Sequence, residues 1–253
     1  MTDDWDFYFL RVEDAPASIQ VDLGLKSSVP LAALPNMAYV RVYMNRPRPD
    51  GMSSQEEYEA LIALEDALTA ALVRDDTQYV GRCTSGGTRD FYYYCASTAD
   101  WSQRVAAVLA MFAEYRHEAG GRADPSWSVY REFLYPSAED RERIENRRVC
   151  IQLEKHGDPL IEARDIDHWA YFRTAADAQA FLDDVATLGF RERRRSRSEK
   201  GDFSHGVQVT RADVPSFHTV DDAVLPVYRA ALRHAGDYSG WECAVVRAGS
   251  KAD

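Results

Sequence analysis

Hydrophobic and polar residues alternate along several short stretches in the first half of the chain, and two helical stripes interrupt them. The alternation has the period of strands, which it predicts over 6–12, 17–23, 38–44, 78–83 and 90–95. Leucines at helical spacing predict a first helix, capped by Ser53 or Ser54: Leu61, Leu64, Leu68 and Leu72. A second helix is predicted over 100–115, and 127–134 is predicted as the closing strand.

The second half repeats this order of elements without obvious residue identity. Strands are predicted over 149–153, 167–172, 190–197, 206–211 and 240–246, with helices over 174–189 and 221–234. A strand, helix, strand, strand, helix, strand order is the split βαβ arrangement of ferredoxin-like domains. We therefore predict an α+β protein of two ferredoxin-like split βαβ sandwiches, each an antiparallel sheet with helices on one face. An extra β-hairpin precedes the first, and the predicted domains are 1–137 and 138–253.

Composition places the chain among ordinary globular proteins. Of its 253 residues 45% are hydrophobic and 28% are charged. Residues 1–6 are acidic where a secretory signal would be basic, and no apolar run approaches the roughly 18 residues of a membrane span. Four widely spaced cysteines lack the close pairs of zinc or redox motifs and are expected to be reduced core residues. We therefore expect a cytoplasmic protein that does not enter a membrane.

The formal net charge of −11 is unevenly distributed. Residues 1–136 carry 12 Lys and Arg against 20 Asp and Glu, and the remainder carries 18 against 21. Phosphate backbones are repelled by an acidic surface, so direct nucleic-acid binding is disfavoured. The charge indicates protein partners instead.

No catalytic or metal-binding constellation is recognisable. The six histidines lie in no nucleophile or metal motif, and there is no close cysteine pair and no calcium loop. His168 beside Trp169 has the context of a buried polar strand residue. We predict no catalytic residues, no metal and no cofactor.

A glycine-rich turn between two predicted strands is a candidate anion site. Backbone N–H groups of Gly86 and Gly87, flanked by Arg82 and Arg89, could hold a phosphate, although a tight hairpin turn accounts for the same residues. One alternative function uses it: an enzyme that binds a small molecule or phosphate in a cleft between the two domains, lined by Arg82, Arg89 and His168.

Aromatic and basic runs support a second alternative, an RNA-binding sheet module. Tyr92 and Tyr94 share one face of a predicted central strand, where they are either a stacking platform or buried by the extra hairpin. Residues 191–200 hold six cations, among them Arg193, Arg194 and Arg195. This basic patch could dock an acidic partner segment or an RNA backbone, or it could protect an edge strand from pairing.

The segment Gly236-Asp237-Tyr238-Ser239-Gly240-Trp241-Glu242 is the most informative about identity. With Phe181 and Gly189-Phe190, it resembles the closing signature of the ribonuclease E inhibitor B regulators over about 166–246, although Ser239 replaces the expected aspartate. The resemblance implies a non-catalytic inhibitor that binds a ribonuclease through protein contacts. We therefore expect a regulator of a ribonuclease or another protein, with these partner-binding candidates: Asp237, Tyr238, Gly240, Trp241, Glu242, Arg193, Arg194 and Arg195.

The first half resembles a second bacterial family, known as domain of unknown function 695. The matching positions extend over about 5–136: Pro49-Asp50-Gly51-Met52, Glu65-Asp66, Gly81-Arg82, Asp90-Phe91-Tyr92-Tyr93-Tyr94, Trp127 and Phe133-Leu134-Tyr135-Pro136. This resemblance implies no activity.

Overall fold

The computed structural model describes residues 2, 4–197 and 201–247. Met1 and Asp3 of the acidic N-terminus, and Lys200 of the arginine-rich run, lie outside the described residues. The chain forms two compact units, residues 1–140 (the first unit) and 141–253 (the second unit). The predicted domain division after residue 137 stays a prediction.

The first unit is a six-stranded antiparallel sheet with two helices. Its strands are β1 (Trp5–Val12), β2 (Ala15–Asp22), β3 (Asn36–Tyr43), β4 (Thr77–Ser85), β5 (Thr88–Cys95) and β6 (His117–Ala123). Its helices are α1 (Tyr58–Leu72) and α2 (Trp101–Leu109). The strand order is β1-β2-β4-β5-β3-β6, so β3 to β6 have the ferredoxin-like order and the β1–β2 hairpin extends the sheet beside β4.

Both helices of the first unit pack on one face of its sheet. The leucine stripe of α1 is fully buried, with Phe91, Tyr93 and Trp101 in the same core. The predicted cap at Ser53 or Ser54 is wrong, because α1 begins at Tyr58 after a turn. The Glu57 carboxylate before it accepts hydrogen bonds from the backbone N–H groups of Asn45 and Arg46.

The predicted closing strand over 127–134 is also wrong. The sixth strand is β6, whereas Val129–Leu134 forms a π-helix. β6 has no hydrophobic alternation to reveal it, because its centre lies against β3 too closely for side chains. A Cβ on Gly121 would lie 2.8 Å from the Met37 carbonyl oxygen.

Residues 124–135 cover the second face of the first sheet instead. The Trp127 ring stacks on Tyr94 with 3.8 Å between centroids, and the Asp124 carboxylate accepts the Tyr94 hydroxyl and the backbone N–H groups of Ser128 and Val129. Tyr94 is therefore buried by residues 124–135. The N-terminal hairpin, which was expected to cover Tyr94, instead extends the sheet beside β4.

The second unit is a four-stranded antiparallel sheet with three helices, the first of which begins in the last three residues of the first unit. In chain order it contains α3 (Ala138–Lys155), β7 (Arg164–Phe172), α4 (Ala175–Ala186), β8 (Arg191–Arg197), β9 (His205–Asp213), α5 (Val220–Arg233) and β10 (Asp237–Cys243). The strand order β10-β7-β9-β8 is again ferredoxin-like. The predicted α+β class with two such sheets is confirmed.

The predicted strand over 149–153 is wrong, because these residues belong to α3. Asn146, Cys150 and Leu153 are buried along one side of this helix, and the last two belong to the core of the second unit. Their spacing is helical when it is read from Asn146, whereas the short run 149–153 alone mimics a strand.

Candidate partner-binding surface

The strands of the second sheet separate their side chains between two faces. On β7, Ile166, His168, Ala170 and Phe172 are buried, and the last two lie in the core that α3, α4 and α5 help to form. Residues between them point the opposite way, because side chains alternate along a strand. We call this opposite side the outer face.

Three cross-strand rows make up the outer face. From β10 through β7 and β9 to β8, the central row is Gly240, Trp169, Gln208 and Arg194. The row on one side is Asp237, Tyr171, Gly206 and Ser196, and the row on the other is Glu242, Asp167, Thr210 and Arg191. Two half-buried aromatic residues thus occupy the middle of the face, between charged edges.

The two edges of the outer face carry opposite charge. Asp237 and Glu242 on β10 are exposed, as is the whole of the arginine-rich strand β8. Two arginines of β8 form ion pairs with β7: Arg191 with Asp165 at 2.6 Å and Arg193 with Asp167 at 2.8 Å. Beside them, Trp169, Tyr171, Arg194, Ser196 and Gln208 line a groove of about 260 Å³.

The two aromatic residues of the closing signature lie on the helix side. The indole N–H of Trp241 donates to Asn146 Oδ1 at 2.8 Å, and the Asn146 amide donates to Asp221 Oδ1 at 2.8 Å. Trp241 therefore links β10 to α3, and Asn146 links α3 to α5. This tryptophan stabilises the unit and is not an exposed anchor.

Tyr238 lies inside with His168. The Tyr238 oxygen is 2.9 Å from His168 Nδ1, and the Tyr228 ring packs edge-on against Tyr238. Burial, and then the charge of Arg211, lowers the pKa of His168 to about 3. The imidazole is therefore neutral at physiological pH, as a core residue should be.

A β-bulge at Ser239 explains why both aromatic residues point inward. Positions 238 and 241 are three apart, so an uninterrupted strand would place them on opposite faces. The pairing with β7 shifts between Tyr238 and Gly240, which leaves one extra residue unpaired. Gly240 has φ +102°, a conformation that favours glycine.

The eight predicted partner-binding residues are thus divided by the structure. Asp237, Gly240, Glu242, Arg193 and Arg194 lie on the outer face or its edges. Tyr238 and Trp241 point to the helix side, as does Arg195, which donates to Gln179 of α4. Sequence reasoning missed Trp169, Tyr171 and Gln208, and the available signal was their position out of phase with the buried residues of their strands.

The predicted anion cradle is not assembled in the first unit. The side chains of Arg82 and Arg89 lie on the helix side of the sheet: Arg82 forms an ion pair with Glu65, and Arg89 donates to Thr84 Oγ1 at 3.1 Å. The N–H of Gly87 donates to the Gly51 carbonyl at 2.9 Å, while Gly86 is exposed. The turn is therefore a hairpin turn that holds the 47–52 loop.

The remaining features singled out in the sequence are the paired tyrosines, the cysteines and the residue types that bind metals. Tyr94 is fully buried and therefore offers no free stacking face, and the partly buried Tyr92 packs edge-on against Phe133. All four cysteines are free thiols. Among the described residues, no three metal-ligating side chains are gathered together, and no helix is long and apolar enough to cross a membrane.

Comparison with known proteins gives two family matches. Residues 3–135 match the model of a Family of unknown function (DUF695), and residues 143–243 match that of Regulator of ribonuclease activity B. Both resemblances expected from the sequence are confirmed. Among curated proteins, no significant match is found.

Solved structures give weak similarities. An unknown protein from Galdieria sulphuraria is 10% identical with a TM-score of 0.22, covering 82% of this chain and 96% of that one. The ligand-free regulatory subunit of aspartate kinase from Thermus thermophilus is 13% identical with a TM-score of 0.18, covering 84% and 96%. Such low TM-scores support no conclusion about this chain. The match over 3–135 spans more than half of the sequence, and on that basis the chain belongs to the family of unknown function DUF695, with a C-terminal region similar to regulators of ribonuclease activity B.

Proposed function

We propose that this protein is a non-catalytic regulator that binds a protein partner through the outer face of the second sheet, and that this partner is a ribonuclease. The match of residues 143–243 to Regulator of ribonuclease activity B supports a regulatory role. The free thiols are consistent with action in the cytoplasm, where RNA is processed.

The observation that carries this proposal is the arrangement of the outer face. Protein interfaces concentrate their binding energy in a few central aromatic and arginine residues, surrounded by a polar rim. Trp169 and Tyr171 are central, Arg194 adjoins them, and acidic and basic edges flank them. The sheet holds these side chains on a rigid backbone, which limits the entropy lost on binding.

The test compares two tryptophans of the same sheet. Wild-type protein, Trp169→Ala and Trp241→Phe are immobilised and exposed to lysate of the native cell, and retained ribonuclease activity is measured by cleavage of labelled RNA. Loss of an interface anchor typically costs about 2 kcal/mol or more, so Trp169→Ala should weaken retention roughly 30-fold. Trp241→Phe should retain the activity, because this residue points inward.

A second measurement on the same samples tests whether the protein regulates the ribonuclease. Wild-type protein added to the captured ribonuclease should slow RNA cleavage, and Trp169→Ala should not. Equal retention by wild type and Trp169→Ala would contradict the assignment of the outer face. No retention by wild-type protein would contradict a ribonuclease partner.

A further inference from the structure

Strand β8 has a main-chain edge that no described strand pairs. It is the last strand in the order β10-β7-β9-β8, so one of its edges pairs with β9 and the other is the edge of the sheet. All seven of its residues are exposed. Unpaired N–H and C=O groups along such an edge are a template for another strand.

The charge of this edge is exceptional for the chain. Five of the seven residues of β8 are arginines, whereas the whole protein carries a net charge of −11. The arginines project on both faces: Arg191 and Arg194 lie on the outer face, and Arg195 and Arg197 alternate with them toward the helix side. A strand added beside β8 would therefore meet guanidinium groups on both of its faces.

These guanidinium groups are available to a partner. The ion pairs of Arg191 with Asp165 and of Arg195 with Glu192 are between side chains that are each more than 40% exposed. Solvent screening makes such pairs weak, so they exchange readily. Within the described part of the chain, the side chains of Arg194 and Arg197 form no hydrogen bond or ion pair.

Charge decides which strand can be added. A second copy of β8 would place arginines opposite arginines, which is destabilising. RNA would meet the cations, but it has no peptide groups to continue the ladder of backbone hydrogen bonds. A strand rich in Glu or Asp pairs with the guanidinium charges and also forms hydrogen bonds with the unpaired backbone groups of β8.

We propose that β8 binds an extended acidic segment of a protein partner by strand addition. This inference rests on the proposed function, because it specifies how part of the partner is held at the basic edge of the outer face. Acidic residues on both faces of the added strand contact the arginines, and its backbone completes the sheet.

The test uses synthetic peptides and the full chain. The probe is acetyl-Glu-Val-Glu-Glu-Glu-Val-Glu-amide, and binding is followed by fluorescence anisotropy and by amide shifts of β8. One control peptide carries N-methyl groups at alternate backbone nitrogens, which keep the charge and remove the donors. A second has Lys in place of Glu, and a third probe is a single-stranded oligouridylate.

The acidic peptide should bind, the N-methylated peptide should bind at least 10-fold more weakly, and the Lys peptide should not bind. Arg194→Glu combined with Arg197→Glu should weaken the acidic peptide at least 10-fold. The matched control is Arg122→Glu with Arg131→Glu, two exposed arginines of the first unit, and it should leave affinity unchanged.

Three outcomes would overturn the proposal, and the first is that the acidic peptide does not bind. Equal binding of the N-methylated and parent peptides would show that charge alone acts, and tighter binding of the oligouridylate would identify a nucleic-acid site. Failure of the proposed function is distinguishable. Peptide binding at β8 without capture of a ribonuclease contradicts that function and leaves strand addition standing. Capture that depends on Trp169, without any binding of the acidic peptide, contradicts strand addition and leaves the function standing.

Discussion

Two tryptophans on neighbouring strands of the second sheet have opposite roles. Trp241 points toward the helices, where its N–H finds a buried amide oxygen on Asn146. Trp169 lies on the outer face beside Gly240, which contributes no side chain to cover it. Identical side chains thus lie on opposite sides of one sheet, one linking β10 to α3 and the other on the face that we propose as an interface, and the direction of the Cα–Cβ bond decides which.

His168 makes the stability of the protein depend on pH. Its pKa is about 3 in the folded protein and ordinarily 6.5, so the unfolded state binds more protons between these values. The stabilisation is complete above pH 6.5 and is lost as pH falls toward 3. Between pH 6.5 and 5 the free energy of unfolding should fall by about 2 kcal/mol, since each pKa unit corresponds to about 1.4 kcal/mol. Urea denaturation of the full chain measures this change.

The His168→Gln variant should lose that pH dependence, because the titrating group is gone. Tyr238→Phe should keep it, because burial and not the tyrosine hydroxyl is the main cause of the lowered pKa. An unaltered slope in His168→Gln would show that another group is responsible.

At the scale of elements, the bulge in β10 explains the structural role of the closing sequence signature. It allows Tyr238 and Trp241 to enter the same core, while Asp237 and Glu242 remain on the outer face. The glycine at position 240 is needed for its backbone conformation. There is no steric demand, because a Cβ at this position would meet no atom within 4 Å.

Gly240→Ala should therefore destabilise the protein by about 1 kcal/mol, through backbone strain alone. Urea denaturation measures the loss. Gly157→Ala is the matched control, because Gly157 also has a positive φ and a Cβ there would also meet no atom within 4 Å. It should lose a similar amount of stability without affecting β10. A stability equal to that of wild type would mean that the bulge tolerates a side chain.

At the scale of the whole molecule, α3 belongs with the fold that follows it. Its residues Cys150 and Leu153 lie in the core of the second unit, and Asn146 connects α3 to β10 and α5. We propose that 138–253 is an autonomous domain, as the predicted boundary implies, and that a ferredoxin-like unit beginning after α3 is incomplete.

Fragment 138–253 should unfold cooperatively when heated, with a near-UV spectrum of ordered aromatic residues. Fragment 156–253 should be less stable by more than about 3 kcal/mol, because it exposes core surface that two buried side chains and their neighbours cover. Circular dichroism of both fragments measures this difference. Equal stability would mean that α3 is dispensable.

Local pattern is sufficient for most elements of both units and for their order. Alternation identified the central strands, and leucine spacing identified α1, because those residues face a core whose periodicity matches their own secondary structure. The acidic charge and the family resemblance, which also need only the sequence, indicated a binding protein. Elements defined by contact with distant residues could not be predicted in this way: the glycines of β6 that lie against a neighbouring strand, residues 124–135 folded over Tyr94, and residues 149–153 as part of a longer helix.

The candidate surface depended still more on tertiary contacts. That Tyr238 and Trp241 both face inward follows from one unpaired residue in β10 and from the position of α3, and neither has a local signature. A one-residue shift reverses the direction of every side chain beyond it, because strand periodicity is two. The sequence by itself therefore determined that Trp, Tyr and Arg residues would be present in the second sheet, and the packing of sheet against helices decided which of them lie on the outer face.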